Sequence, residues 1–193
     1  MKYQTVILIC LITLLSGCNA YHLSEESINT EIEQHLKNQP TQRVFIRIGE
    51  DKPLASLNML ITRVNVDFTE KRGGAANIHL NTRVDGTLQV FGSQLELSTH
   101  MMVSIESGLS IEEGSIYLVR PKIKNIQIND SSFNHELLRS TLKPFHKDIE
   151  ESLAGYFYQH PIYELKHSTF ERSAKNAIKN IVIKEDELLL KFH

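Results

Sequence analysis

The chain has 193 residues, with 21 Lys and Arg against 23 Asp and Glu and a formal net charge of −2. That near-balance, with no basic stripe, no Arg-rich arm and no interleaving of aromatic and basic residues, argues against nucleic acid as a partner. No low-complexity tract, internal repeat or Pro/Gly linker divides the chain, so one globular domain with a real core is expected.

The first element is an N-terminal segment in which Lys2 precedes the uncharged run VILICLITLL, Val6 to Leu15. A membrane-spanning helix needs roughly twenty apolar residues, so this shorter run fits the apolar core of a secretory signal. The segment ends Leu15-Ser16-Gly17-Cys18, which resembles the lipobox of bacterial lipoproteins. The resemblance implies that the Cys18 thiol is alkylated with diacylglycerol, that a peptidase cuts before it, and that the freed amine is acylated. An uncleaved anchor helix or a buried core cysteine fits the short run less well. By the same resemblance, Asn19 in place of Asp favours export to the outer membrane. Residues 1–17 would then be removed, 18–23 would form a lipidated tether and 24–193 the domain. Cys10 lies in the removed part, so Cys18 has no partner for an intrachain disulfide or a Cys-based zinc site.

Ser24-Glu25-Glu26 then opens a helix with Ile28, Ile32 and Leu36 on one face, stopped by Asn38-Gln39-Pro40. Beyond it the apolar period becomes two. Val44, Ile46 and Ile48 alternate with arginines and Phe45. Between Leu54 and Phe68, residues Leu60, Thr62, Val64, Val66 and Phe68 are expected on one side. The alternation is cleanest in Ala76-Ile78-Leu80-Thr82-Val84 and in Leu95-Leu97-Thr99-Met101-Val103-Ile105. Strands of that pattern have one dry and one wet face, which means an antiparallel sheet. Gly73-Gly74, Asp85-Gly86, Ser107-Gly108 and Glu113-Gly114 read as turns. Pro121 in SIYLVRPKIKNIQI indicates an edge or a bulge. Long strands in a twisted sheet coil around whatever covers their dry face.

The expected cover is a long amphipathic helix from Asn134 to Tyr158, striped by Leu138, Leu142, Phe145, Ile149, Leu153, Tyr156 and Phe157, with a kink at Pro144. His160-Pro161 ends it. A short strand (162–166), a small helix (168–179) and a closing hairpin complete an α+β domain. His146 and Glu150 lie four apart on the helix, and His135-Glu136 lies upstream. With no third convergent ligand and no HExxH arrangement, they read as a solvated face. His79 and His100 fall on the wet faces of their strands. No nucleophile elbow, P-loop or dinucleotide fingerprint occurs, so an enzyme is not expected and no cofactor or metal is called for.

Four stretches carry a further resemblance. They are YHLSEESINTEIEQHL after the lipobox, FGSQLELSTHMMVSI, TLKPFHKDIEESLAGYFYQHPIYEL and IKNIVIKEDELLLKF. Together they resemble the YceB-like family of bacterial lipoproteins over nearly the whole mature chain. The most specific parts are Phe91-Gly92-Ser93-Gln94 and the pattern Leu142, Pro144, Tyr156, Phe157, Pro161, Tyr163. The resemblance implies a fold similar to the tubular lipid-binding superfamily, in which a curved antiparallel sheet wraps a long helix and many members hold lipid chains between them. The lining of such a groove, or equally of a plain core, would be Leu80, Val84, Leu95, Leu97, Met101 and Val103 from the sheet. The helix would add Leu138, Leu142, Phe145, Ile149, Leu153 and Phe157. Two functions follow: an anchored lipid- or fatty-acid-binding module, or an anchored structural or interaction module of the envelope with a closed core.

Overall fold

The computed structural model describes residues 20–38, 42–48, 54–90, 92–129 and 146–192. In chain order it contains β1 (Ala20–Ser24), α1 (Glu25–Asn38), β2 (Arg43–Ile48), β3 (Ala55–Thr69), a 3-10 turn (Lys71–Gly73), β4 (Ala75–Val90), β5 (Ser93–Glu112) and β6 (Ser115–Asn129). Then follow α2 (His146–Gln159), β7 (Tyr163–Glu164), α3 (Thr169–Ala174), β8 (Ile178–Ile183) and β9 (Glu187–Phe192). The strands make a six-stranded sheet in the order β2-β3-β4-β5-β6-β7 and a three-stranded sheet β1-β9-β8. Every pairing is antiparallel. This is the α+β class, built on an open, curved antiparallel sheet.

The dry face of the large sheet follows the alternation. Ala76, Ile78, Leu80, Thr82 and Val84 on β4 are buried, as are Leu97, Thr99, Met101, Val103 and Ile105 on β5. β3 departs from expectation. Ala55, Leu57, Met59 and Ile61 are its buried residues in the first half, whereas Thr62 is exposed and Leu60 only half-buried. A register shift between Ile61 and Arg63 adds one residue and reverses the parity, so Val66 and Phe68 return to the core.

Two expected turns lie inside strands. Gly86 sits in β4 opposite Leu57. A Cβ there would stand 2.1 Å from the Ser56 carbonyl oxygen, so glycine permits close backbone approach and not a reversal. Ser107-Gly108 marks a register shift within β5. Glu113-Gly114 is a true hairpin turn, with φ values of 51° and 80°. Opposite the β5 irregularity, Pro121 falls where the β5–β6 pairing skips, and Arg120 takes φ 51°, so the proline marks a bulge.

α1 starts where the Ser24 hydroxyl accepts the Ser27 N–H at 3.2 Å. It then docks on backbone that β2 leaves unpaired, because β2 covers only residues 55–60 of β3. The Asn29 amide brackets Val66, donating to its carbonyl and accepting from its N–H, both at 2.8 Å. Glu25 Oε2 accepts the Phe68 N–H at 2.8 Å. The helix thus satisfies an exposed sheet edge while burying Ile28 and Ile32.

α2 buries Ile149, Leu153 and Phe157 at intervals of four and touches both β6 and β2. Glu150, considered above as half of a metal pair, accepts the Ile123 N–H of β6 at 3.1 Å. The Tyr156 hydroxyl donates to Gln42 Oε1 at 2.5 Å, beside β2. One helix therefore joins opposite ends of the sheet that curves around it. The expected start of the long helix, with Leu138, Leu142, Phe145 and Pro144, lies outside the described residues. α3 is shorter than expected, ending at Ala174, because the chain must turn into β8 by Ile178.

The span expected to be a tether also differs. Ala20 to Ser24 pair with Glu187 to Lys191 as β1. Only Asn19 separates this strand from Cys18. The buried side chains of both sheets form one contiguous core.

Candidate functional site

β2 and β7 are the two edges of the large sheet. Between them lies a cavity of about 550 Å³, within the range of roughly 300–1,000 Å³ typical of ligand pockets. α1 supplies Ile32 and Leu36 to its wall, β3 supplies Ile61 and Val64, and Phe45 projects from β2. The end of α2 and the following segment add Tyr156, Phe157, Pro161, Ile162 and Tyr163. The wall is therefore largely apolar, and Phe45, 72 % exposed, is an unshielded ring at its rim. At roughly 30 Å³ per heavy atom, a water molecule's share of the liquid, the volume holds about 18 atoms, enough for one acyl chain.

Charged residues are arranged asymmetrically around this wall. Glu31 lies 3.3 Å from His167 Nε2, and Glu164 pairs with Lys166, so both lining carboxylates have a basic neighbour. Arg43 and His35 also line the cavity and make no ion pair among the described residues. His160 stacks on Tyr156 at 4.2 Å, with Nδ1 2.8 Å from the Tyr156 carbonyl oxygen. Burial pushes the Tyr156 phenol up to about 12, and burial followed by the Glu171 carboxylate raises Tyr163 still further. Both phenols stay neutral donors. Arg43 and His35, charged or titratable lining side chains without an ion pair among the described residues, are basic.

Tyr163 is held from behind by Glu171, a carboxylate only 3 % exposed. Its Oε1 accepts from the hydroxyls of Tyr21 at 3.0 Å and Tyr163 at 3.1 Å. Its Oε2 accepts from the N–H of His167 at 2.8 Å and of Ser168 at 3.3 Å. The Ser168 hydroxyl accepts the Glu171 N–H in return, closing a capping box. This group links β1 of the small sheet to β7 of the large one.

The residues expected to line a groove or a plain core lie mostly away from this cavity where they are described. Leu80, Val84, Leu97, Met101 and Val103 of the sheet, with Ile149 and Leu153 of α2, are buried in the common core, and Leu95 is half-buried. Of the proposed lining only Phe157 reaches the cavity among the described residues. Leu138, Leu142 and Phe145 are outside them. Gln42, Arg43, His35 and Phe45 line the cavity without having been expected there. A large aromatic on the wet face of a strand, between two arginines, was the available signal.

Residues 23–187 match a family described as "Protein of unknown function (DUF1439)". The chain belongs to this family. Among curated proteins it is 25 % identical over 184 residues to "Uncharacterized lipoprotein YceB" of Salmonella typhimurium, covering 93 % of this chain and 91 % of that one. The YceB-like relationship read from the sequence is thereby established. A crystal structure of lipopolysaccharide binding protein aligns with 89 % of the YceB-like chain at 11 % identity and a TM-score of 0.31. The chain spans about half the length of that structure, 48 %. A likeness that low carries neither ligand nor mechanism to the YceB-like protein.

Proposed function

We propose that this protein is a non-catalytic envelope lipoprotein, anchored through acyl lipid on Cys18 at the periplasmic face of the outer membrane, that binds a single-chain lipid such as a fatty acid. The observation that carries the binding is the cavity of about 550 Å³ with apolar walls and an uncompensated Arg43 at its rim. An acyl chain satisfies the walls, and a carboxylate satisfies the guanidinium. The lipobox and the lipoprotein relative support the anchor. Cys18→Ala should leave an uncleaved, unacylated precursor, and a variant of normal mass and membrane fractionation would refute the anchor.

A second reading, a structural or interaction module without ligand, is favoured by one observation. The face expected to line either a groove or a plain core is buried among its own side chains in the described residues. Organic extraction of purified protein, followed by mass spectrometry, separates the two. Protein secreted without its anchor should retain Ala20 onward, since β1 belongs to the fold. Near-stoichiometric non-covalent lipid supports binding. Protein that yields none and takes up no fluorescent fatty acid is a closed module. Arg43→Gln should weaken fatty-acid binding about three- to tenfold, the scale of one charge-assisted bond at a partly exposed rim. Arg43→Lys should restore most of it, and Arg47→Gln, on the same strand outside the cavity, should leave it unchanged.

A further inference from the structure

We infer that the anchor-proximal end of the small sheet is a membrane-docking surface, with Phe170 as its inserted side chain. The inference rests on the anchoring role proposed for Cys18 and adds an orientation to it. With Asn19 alone between Cys18 and β1, a lipid on that cysteine draws the Ala20 end of the small sheet to the bilayer. No flexible tether of six residues separates domain and membrane, because Ala20 to Ser24 are already paired.

What lies at that end suits the interface. Phe170, on α3, is 52 % exposed although it belongs to an aromatic cluster. Its ring stands 5.1 Å from Tyr21 and 6.2 Å from Phe192. Tyr21 is the second residue of β1, and Phe192 is the last of β9, so both belong to the anchor-proximal edge. Aromatic rings concentrate at membrane interfaces, where a ring can enter the apolar boundary while polar neighbours stay in the headgroups.

Charge along the small sheet has the matching polarity. Lys191 faces Ala20 in register, and Lys179 follows Ile178, which pairs with Phe192. Both lysines are exposed. The opposite end, the β8–β9 turn, carries Glu185, Asp186 and Glu187. An anionic bilayer surface therefore attracts the aromatic end and repels the hairpin tip. Each feature alone is ordinary; their coincidence beside the anchor defines the surface and its occupant, an anionic lipid bilayer.

The chain contains no tryptophan, so a single introduced one reports its own environment. Full-chain protein, purified as the cell processes it, is reconstituted into phosphatidylethanolamine/phosphatidylglycerol vesicles, with or without brominated acyl chains. Phe170→Trp replaces one exposed ring by another and should preserve the fold, which circular dichroism checks. Tyr158→Trp, at a position 80 % exposed on α2, is the distant control. Fluorescence of the Phe170→Trp protein should be blue-shifted and quenched by brominated lipid several-fold more than that of the Tyr158→Trp protein. Lys179→Glu combined with Lys191→Glu should reduce that quenching in anionic vesicles. Vesicle-bound Phe170→Trp protein quenched no more than the Tyr158→Trp control overturns the docking surface while leaving the anchor intact. Blue-shifted but unquenched emission from Phe170→Trp also overturns it, since protein and not lipid would then cover the ring. Protein that does not associate with vesicles at all overturns both the anchor and the surface.

Discussion

Replacing Glu171 by glutamine tests whether one buried carboxylate holds the cavity's back wall to the rest of the fold. The change keeps size and removes charge. Two of the four donors to Glu171 are backbone N–H groups, of His167 and Ser168, which can only donate. The amide oxygen of a glutamine must therefore stay with them. Its NH2 then faces the hydroxyls of Tyr21 and Tyr163, which now donate to Oε1. Both phenols must turn to accept, and their own hydrogens lose a buried partner. Hydrogen bonds to a charged group contribute about 1.5–3 kcal/mol each, and the rearranged set recovers only part of that, so a net cost of about 2–4 kcal/mol is expected. For a domain of this size that lowers the midpoint of thermal unfolding by roughly 5–15 °C. Glu171→Ala leaves all four donors without an acceptor and should cost about 3–5 kcal/mol. Tyr163→Phe, which removes one donor and leaves Tyr21 in place, should cost about 1.5–3 kcal/mol. Thermal and urea melts followed by circular dichroism give all three values. A Glu171→Gln protein melting within about 1 °C of the parent, or an alanine variant no worse than the glutamine one, would refute the reasoning.

Alkaline pH should expose the buried phenols. Tyr21, Tyr156 and Tyr163 are all raised above the ordinary 10.0, first by burial, and for Tyr21 and Tyr163 also by Glu171. The folded state thus keeps protons that the unfolded chain releases, so their contribution is intact below about pH 10 and is lost as pH rises through the folded values. Urea midpoints should hold to that point and then fall, and the fall should shrink in a Tyr156→Phe, Tyr163→Phe double variant; an unchanged fall would refute the assignment. Core and cavity should also separate by substitution. Leu97→Trp overpacks a side chain 3 % exposed opposite Gly86 and should cost about 1–3 kcal/mol or more, whereas Leu36→Trp, at the cavity wall, should leave stability nearly unchanged and reduce fatty-acid uptake. Equal melting of the two variants would mean that the cavity is as closed as the core.

The amino-acid sequence determined what depends on short-range periodicity. β4 and β5 bury the alternating residues expected of them, because one dry face imposes a period of two on a strand of any length. α1 is likewise legible from its Ser24 cap, early acids and Ile28–Ile32 spacing. The family relationship was carried by local motifs as well. Tertiary structure decided what depends on pairing between distant segments. β1 looked like a tether because its partner β9 lies more than 160 residues away and leaves no mark on its five residues. Asp85-Gly86 looked like a turn, yet the need is for a strand with no Cβ against Ser56, a neighbour about thirty residues earlier. The β3 register shift inverted a parity that the apolar pattern alone assigned wrongly. The cavity arises where α1, the start of β2 and the end of α2 converge near β7. None of these segments is apolar enough alone to announce a pocket. The described part of the helices packs against the sheet's dry face, while this cavity lies at the seam between the sheet's two edges, a place fixed by curvature and chain crossing.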